Sequence, residues 1–331
     1  ANQQLYSPQT VQYLGSISKP VIGMALMFAV QEGLLRLDQP INEYLPFEVI
    51  HPFFPETPIT LWHLATHTSG MVDTKEYGRS YLPVEQIALH KKELHPHYYY
   101  RANRQQGNLP MSMADFLQAQ YVKGGKWYKK KHFLKEPPGE QYEYSNAGAA
   151  LAALVIEEVS GESYADFVKN RVFQPLGLTD TYWELTQVPE AKYATPYWYD
   201  QTPFPRYTLI TYPDGGLLTS VADMARLTQE WMRGYHGESE LLPQSAFEEM
   251  LKVQFEGGDR PGLFWDHTDA GWVAHGGGDP GTYTLVMFHP EKNLGKIFFT
   301  NIFADFSDEQ KAQFREIWVL MSEYQDRMLA E

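Results

Sequence analysis

The chain has no cysteine among its 331 residues. That rules out a disulfide framework, a thiolate zinc site and a cysteine nucleophile. Long apolar runs are missing too: the longest, Val21 to Val30, is about half the ~20 residues that a membrane-spanning helix needs. Positive charge is scarce, with 27 Lys and Arg against 41 Asp and Glu, a formal net charge of −14. Such a balance serves solubility and argues against nucleic acid or an anionic membrane as the main partner. No internal repeat, low-complexity linker or signal-peptide pattern is visible. Position 1 is Ala, which reads as the start of a processed, trimmed or partial chain. What is present suffices for a real core: 43% of the residues are hydrophobic, in a length suited to one large domain or two modest ones.

The pattern predicts a buried helix over 16–34, ended by Gly33, and a second over Ile59 to His67, closed by Ser69-Gly70. Residues 72–137 are polar, aromatic and locally basic. Ala147 to Val159 reads as a third helix, with Gly161 beyond its end. The last third changes character. Trp272 to His275, Thr282 to Phe288 and Lys296 to Asn301 are short β-branched or aromatic runs, read as a meander of antiparallel strands. Ser307-Asp308-Glu309-Gln310 is a capping-box signal for a final helix. Its apolar positions Phe314, Ile317, Trp318, Met321, Tyr324 and Met328 recur at helical spacing and are expected to cover one face of that sheet. The class is α+β, an antiparallel sheet flanked by helices.

Chemistry begins at Ser16-Ile17-Ser18-Lys19, at the mouth of the first helix. A hydroxyl and an amine three residues apart share a helix face. Once buried, the amine can shed its proton and take one from the serine, making it a nucleophile. The helix N-terminus aims N–H groups at an oxyanion formed there. Alone, S-x-x-K recurs by chance in a chain of this length. Tyr144-Ser145-Asn146 is the second element. A tyrosine near a lysine can relay a proton, and an asparagine amide can hold an acyl carbonyl or orient the lysine. The third is His275-Gly276-Gly277-Gly278, at a strand end, where Gly277 and Gly278 let a substrate lie close to the backbone and Gly278 N–H can face an oxyanion.

In this order the three elements resemble the serine β-lactamase and penicillin-binding-protein superfamily. The resemblance is to its class C β-lactamase-like branch, with Y-x-N second and often H-x-G third, which includes esterases and D-amino-acid peptidases. Further text agrees: Glu32-Gly33-Leu34, Ile59 to Leu64, His67-Thr68-Ser69-Gly70-Met71, Pro175-Leu176-Gly177-Leu178, and Gly215-Gly216-Leu217 before Asp223-Met224-Ala225-Arg226. It spans roughly residues 10–301, with 72–137 the least similar stretch.

The resemblance implies one catalytic domain over 1–331. Within it, a helical subdomain over about 60–170 carries Tyr144 and the variable insertion 72–137, and an α/β part is made of 1–59 and 171–331. It implies Ser16 as acyl-forming nucleophile, Lys19 as proton acceptor and Tyr144 as the tyrosine of acylation or deacylation. Asn146 would contact the substrate amide and the lysine, and His275 stands where other branches carry lysine. The N–H groups of Ser16 and Gly278 match an oxyanion hole. No cofactor or metal is implied, the partner is a small-molecule or peptide substrate, and the place of action is extracytoplasmic. Two departures stand out. Only fifteen residues precede Ser16, so the family's N-terminal strands are expected to be short, missing or supplied by other segments. The third motif lacks both lysine and hydroxyl, with Gly276 in the place of the latter.

Other signals read as structure. Ser69 lacks the first glycine of G-x-S-x-G and a leading strand, so it marks a helix-ending turn. His95 and His97 have no matched ligands at metal spacing. Tyr98, Tyr99, Tyr100, Trp127 and Tyr128 read as aromatic packing of the insertion. The insertion itself is expected to wall the site, with Arg101, Arg104 and Lys126 as conceivable donors to a substrate carboxylate.

Overall fold

Residues Val21 to Ala29 carry no charge and are buried all round, so the helix they form belongs in the interior. In the computed structural model, which describes residues 5–84, 108, 110–198, 202–304 and 307–330, that helix is α1 (Ser18–Gln31). A 3-10 turn, Gly15–Ile17, leads into it from β1 (Val11–Tyr13). Next come α2 (Leu61–Ala65), β2 (Tyr81–Pro83) and α3 (Met113–Tyr121). Then follow α4 (Asn146–Ser160), α5 (Tyr164–Val168), β3 (Thr181–Tyr182) and β4 (Tyr207–Leu209). A four-residue helix, α6 (Tyr212–Gly215), precedes β5 (Leu218–Ser220), α7 (Val221–Tyr235) and α8 (Gln244–Leu251). The chain closes with β6 (Asp266–His267), β7 (Val273–Asp279), β8 (Thr282–His289), β9 (Leu294–Thr300) and α9 (Asp308–Ala330).

The predicted meander is an antiparallel sheet in the order β6-β7-β8-β9. β6 pairs with β7 only through His267–Val273 and Asp266–Ala274. Among the described residues no strand pairs with that edge of β7 from His275 to Asp279. On one face Trp231 of α7 stacks near Phe288, with Trp265 edge-on to both. On the other, Phe314 of α9 stacks on Tyr283 and meets Phe298 edge-on. Coverage by α9 is narrower than the heptad-like spacing promised. Phe314, Trp318 and Met321 are half-buried, whereas Ile317, Tyr324 and Met328 are 37%, 61% and 56% exposed. The helix rests along one line of contact, so residues a turn further round stay in water.

α1 packs on α4 and α6, and α4 on α2, in one continuous apolar core. The second helix is shorter than predicted. Thr60 caps it in a capping box with His63, and His67, predicted as its last residue, sits beyond it at φ 55. α4 begins at Asn146, one residue ahead of the prediction, because the Ser145 hydroxyl caps it. β1 pairs with β5, which pairs with β3, in a separate three-stranded sheet. The strand ahead of Ser16 is therefore three residues long and lies outside the main sheet. Arg101, Arg104, His95, His97 and Tyr98 to Tyr100 lie outside the described residues. Lys126 lies over the Trp127 ring.

Candidate active site

The segment that presents Ser16 is fixed from below by threonines of β8. Thr282 donates to the Tyr13 carbonyl at 2.9 Å and Thr284 to that of Leu14 at 2.7 Å. The Ser18 hydroxyl donates to Gly15 O at 2.7 Å and accepts from Leu217 N at 3.0 Å. Gly15, at φ +58, turns the chain where any side chain would press on Gly278 N, 3.1 Å from the position of a Cβ. A Cβ on Gly277 would overlap Leu14 O and the Thr284 hydroxyl. The three glycines thus differ in what they do. Gly277 is spent on letting the segment ahead of Ser16 approach β7, while Gly276 and Gly278 remain exposed.

Ser16, Lys19, Tyr144, Asn146 and His275 come together. Lys19 is completely buried. Its Nζ donates to Ser16 Oγ at 3.2 Å, Asn146 Oδ1 at 2.6 Å and the Asp214 carbonyl at 2.7 Å. Burial lowers its pKa, against the pull of the Asp214 and Asp73 charges, which favours the free base. The Tyr144 hydroxyl lies beside Ser16, and burial holds its pKa well above the ordinary value. Lys19 Nζ lies 5.0 Å from the Tyr144 ring centre. A poised amine base and a phenol that keeps its proton therefore flank one hydroxyl.

His275 is 3% exposed, and its ring centre is 6.3 Å from that of Tyr144. Its Nδ1 is 2.8 Å from the Gly276 carbonyl, so the hydrogen sits on Nδ1 and Nε2 is an acceptor. Burial, and then Lys19, push its pKa down to about 3. It is neutral at physiological pH and offers no positive charge to a substrate.

Four residues that sequence reasoning did not assign complete the site. Asp73 accepts from the backbone N–H groups of Asn146 and Ala147 at 2.8 and 3.1 Å. It also accepts from Asn146 Nδ2 at 2.7 Å and the Ser145 hydroxyl at 3.0 Å. A carboxylate at the start of α4 both suits the helix dipole and fixes which way the Asn146 amide points. His67 accepts from Ser145 N at 3.2 Å, and its ring lies 4.4 Å from that of Tyr144. Burial keeps it neutral, far below its usual pKa. Asp214, 1% exposed, accepts from the Tyr77 hydroxyl at 2.7 Å. Burial raises its carboxyl to about 7. His67 and the neighbourhood of Asp214 carried a signal, as parts of the family-like text. Asp73 and Tyr77 carried none, since a single Asp or Tyr in a polar loop looks like any other. Among the described residues no cluster of His, Asp and Glu could hold a metal ion.

A family profile described as Beta-lactamase matches residues 1–317. A penicillin-binding protein of Bacillus subtilis (strain 168) is 25% identical over 319 residues, which is 90% of this chain and 62% of that protein. The D-alanyl-D-alanine-carboxypeptidase/endopeptidase AmpH of Escherichia coli (strain K12) is 24% identical over 309 residues, 86% of this chain and 69% of its own. Among solved structures, the octameric penicillin-binding protein homologue from Pyrococcus abyssi has a TM-score of 0.69 at 26% identity, covering 89% of this chain and 63% of its own. The chain thus spans a little under two thirds of the first and last of these.

Proposed function

Because the chain belongs to the Beta-lactamase family, we propose that it is a metal-independent serine hydrolase working through an acyl-enzyme on Ser16. The observation that carries this reading is the buried Lys19 amine, 3.2 Å from Ser16 Oγ and bonded to Asn146 and the Asp214 carbonyl. Lys19 takes the Ser16 proton as Oγ attacks a substrate carbonyl. The N–H groups of Ser16 and Gly278 face the oxyanion. Tyr144, still protonated, gives its proton to the leaving group, and the amine restores it through the hydroxyl network. Water then releases the acyl group by the reverse sequence. Asn146, held by Asp73, orients both Lys19 and the acyl amide. In this reading 60–170 forms the helical side of the cleft and 1–59 with 171–331 the other. The place of action is extracytoplasmic. Among the described residues no helix is long and apolar enough to cross a membrane.

We further propose neutral short-chain esters or neutral-ended amides as preferred substrates. Gly276 has no hydroxyl and His275 no charge, so neither supplies a donor side chain for a carboxylate. A missing charge-assisted hydrogen bond costs about 1.5–3 kcal/mol, on the order of 10–100-fold in selectivity. The names of the Bacillus and Escherichia relatives favour a second reading, a penicillin-binding D-alanyl-D-alanine peptidase. A catalytically silent binding protein fits worse, because an intact Ser16–Lys19–Tyr144 arrangement would then serve nothing.

Intact-mass measurement after a small fluorophosphonate tests the nucleophile. One adduct is expected, absent in Ser16→Ala and slowed at least ~100-fold in Lys19→Ala. Labelling at normal speed without Lys19 would move the base elsewhere. The substrate class is tested by kcat/KM for a p-nitrophenyl short-chain ester beside a chromogenic cephalosporin. Gly276→Ser, where a Cβ would meet only Thr284 O in ordinary contact at 3.9 Å, should raise cephalosporin turnover about 10-fold relative to the ester. Efficient cephalosporin cleavage by the unaltered protein, with negligible ester cleavage, would reverse the preference proposed.

A further inference from the structure

Asp266 is a carboxylate beside the catalytic groups that the acyl-transfer steps leave unused. It lies on β6 directly opposite Ala274, so the next residue along β7 is His275. There the chain quits the sheet, because the neighbouring Trp265 is completely buried against Trp231 and Phe288. Asp266 therefore stands, half-buried, where the unpaired edge of β7 begins. Among the described residues it accepts no hydrogen bond and forms no ion pair. Its charge is felt at Tyr142, Tyr144 and Lys19, which places the carboxyl within electrostatic reach of the reacting groups. Asp259, which accepts from the Tyr142 hydroxyl at 3.0 Å, is near enough to repel it.

The donors of the site say which part of a substrate comes near it. In the serine-hydrolase reading, on which this inference rests, the Gly278 N–H faces the oxyanion and Tyr144 protonates the leaving group. Tyr144 lies on the His275 side, with 6.3 Å between the two ring centres. The leaving group therefore runs from Gly278 along the free edge of β7 toward His275 and Asp266. On that path Gly276 has no side chain and His275 is neutral. Lys19 is the cation closest to the reaction, and the charges of Asp214, Asp73, Asp279 and Asp266 all act on it. Among the described residues the leaving group thus approaches a carboxylate that no cation neutralises.

We infer that Asp266 is a specificity-determining residue that favours substrates whose leaving group carries a positive charge. Opposite charges a few ångströms apart attract strongly where water is partly excluded, and like charges repel. The preference for neutral over anionic leaving groups proposed above therefore extends to cationic over neutral ones. For a choline ester the steps balance. Ser16 Oγ bonds to the acyl carbon as its proton passes to Lys19. The bond from the acyl carbon to the choline oxygen breaks, and the Tyr144 proton leaves with choline as its hydroxyl hydrogen. Lys19 returns its proton to Tyr144, and water then frees the acid from Ser16. The trimethylammonium group takes no part in bond making and only pairs with Asp266.

Two acetate esters of matched shape test this on the full chain: acetylcholine, and 3,3-dimethylbutyl acetate, with carbon in place of the charged nitrogen. The ratio of their kcat/KM values is expected to favour acetylcholine at least about 10-fold. Asp266→Asn should bring that ratio close to unity, and Asp266→Glu, which keeps the charge, should retain most of it. Burial and Asp259 hold the Asp266 carboxyl up at about 7, so its charge grows as pH rises from about 6 to 8 and the ratio should grow with it. Choline's own charge is permanent, which leaves that rise to the protein. Asp259, Lys19, His275, Tyr142 and Tyr144 share the cleft, so a rise that persists in Asp266→Asn would belong to one of them and overturn the assignment. A ratio near unity in the unaltered protein, or one unmoved by Asp266→Asn, would overturn it while leaving the hydrolase reading intact. If neither ester is cleaved, phosphonate labelling of Ser16 judges that reading separately, and calorimetry with choline beside 3,3-dimethylbutanol judges Asp266. Tighter binding of choline that is lost in Asp266→Asn supports the assignment; equal or absent binding of the two overturns it.

Discussion

At Lys19 a side chain that is normally a hydrated cation is completely enclosed, and its protonation is set by neighbours that share no motif with it. Asp214 is the nearest such control. When ionised it stabilises the lysine ammonium, opposing the effect of burial. Removing that charge by Asp214→Asn should lower the lysine pKa further, so the acid limb of kcat/KM moves to lower pH. A limb that stays put, or moves up, would show that Asp214 does not act on the base. Asp73 works on geometry instead. Its four accepted hydrogen bonds set the orientation of Asn146, and Asp73→Asn would turn an amide N–H₂ toward those donors. Loss of charge-assisted bonds at about 1.5–3 kcal/mol predicts kcat lower on the order of 10–100-fold with KM little changed. An equal rise in KM would make Asp73 a substrate contact.

Among the elements, the contact between the β1 segment and β7 decides whether Ser16 and the Gly278 N–H meet at all. It depends on Gly277, where the obstacle to any side chain includes backbone, Leu14 O, which cannot swing aside. Gly277→Ala should therefore push β1 and the following 3-10 turn off β7. We expect phosphonate labelling of Ser16 to slow at least ~10-fold and the melting temperature to fall, the usual outcome of overpacking by 1–3 kcal/mol. Unchanged labelling would mean that the approach is softer than the structure implies. The loop from Asp73 to Tyr81 is the corresponding device on the helical side. Its Tyr77 bonds Asp214 and its Tyr81 bonds Asp279, next to Gly278. The start of the 72–137 stretch is thus built into the site's support. Further along the stretch, α3 packs against α4.

For the whole molecule, the buried titratable groups set an acid limit. His275 and His63 are held to about 3 and about 4, and His67 is held far down, all by burial. Unfolded, each protonates near 6.5. The histidine contribution is therefore complete above about pH 6.5 and is lost as pH falls toward the folded values. Asp214 and Asp266, both raised to about 7, act with the opposite sign, since folding favours their neutral forms as pH falls from 7 toward 4. His51 is lowered and Glu157 raised by burial in the same ways; the histidines outnumber the opposing carboxyls, so stability is expected to fall as pH drops from about 6.5 toward 4. Below about pH 4 the carboxyl compensation ends and the loss steepens. Denaturant titrations at pH values across this range check the slope, and stability that stays level down to about pH 4 would contradict it.

The amino-acid sequence by itself determined the class and pointed to Ser16 and Lys19 as candidate site residues. Periodicity is local, so the buried α1, the cap-defined α4, the strand meander and the α9 capping box could be read from neighbouring residues. Ser16 and Lys19 are three apart, in the 3-10 turn and in the first turn of the α1 that continues it, and their meeting follows from local helical geometry. Tertiary structure decided everything that joins distant segments. It brought Tyr144, His275 and Gly278 to Ser16, turned Gly277 toward Leu14, and recruited Asp73 and Tyr77 from a loop with no pattern. It also chose the Asp214 backbone carbonyl as a lysine partner, a group that every residue possesses. The same limit explains α9, whose spacing fixed its apolar side but not how much of that side the sheet could reach. Burial set the protonation of Lys19, His67 and His275, because a pKa depends on the dielectric and charges around a group and not on the residue's name.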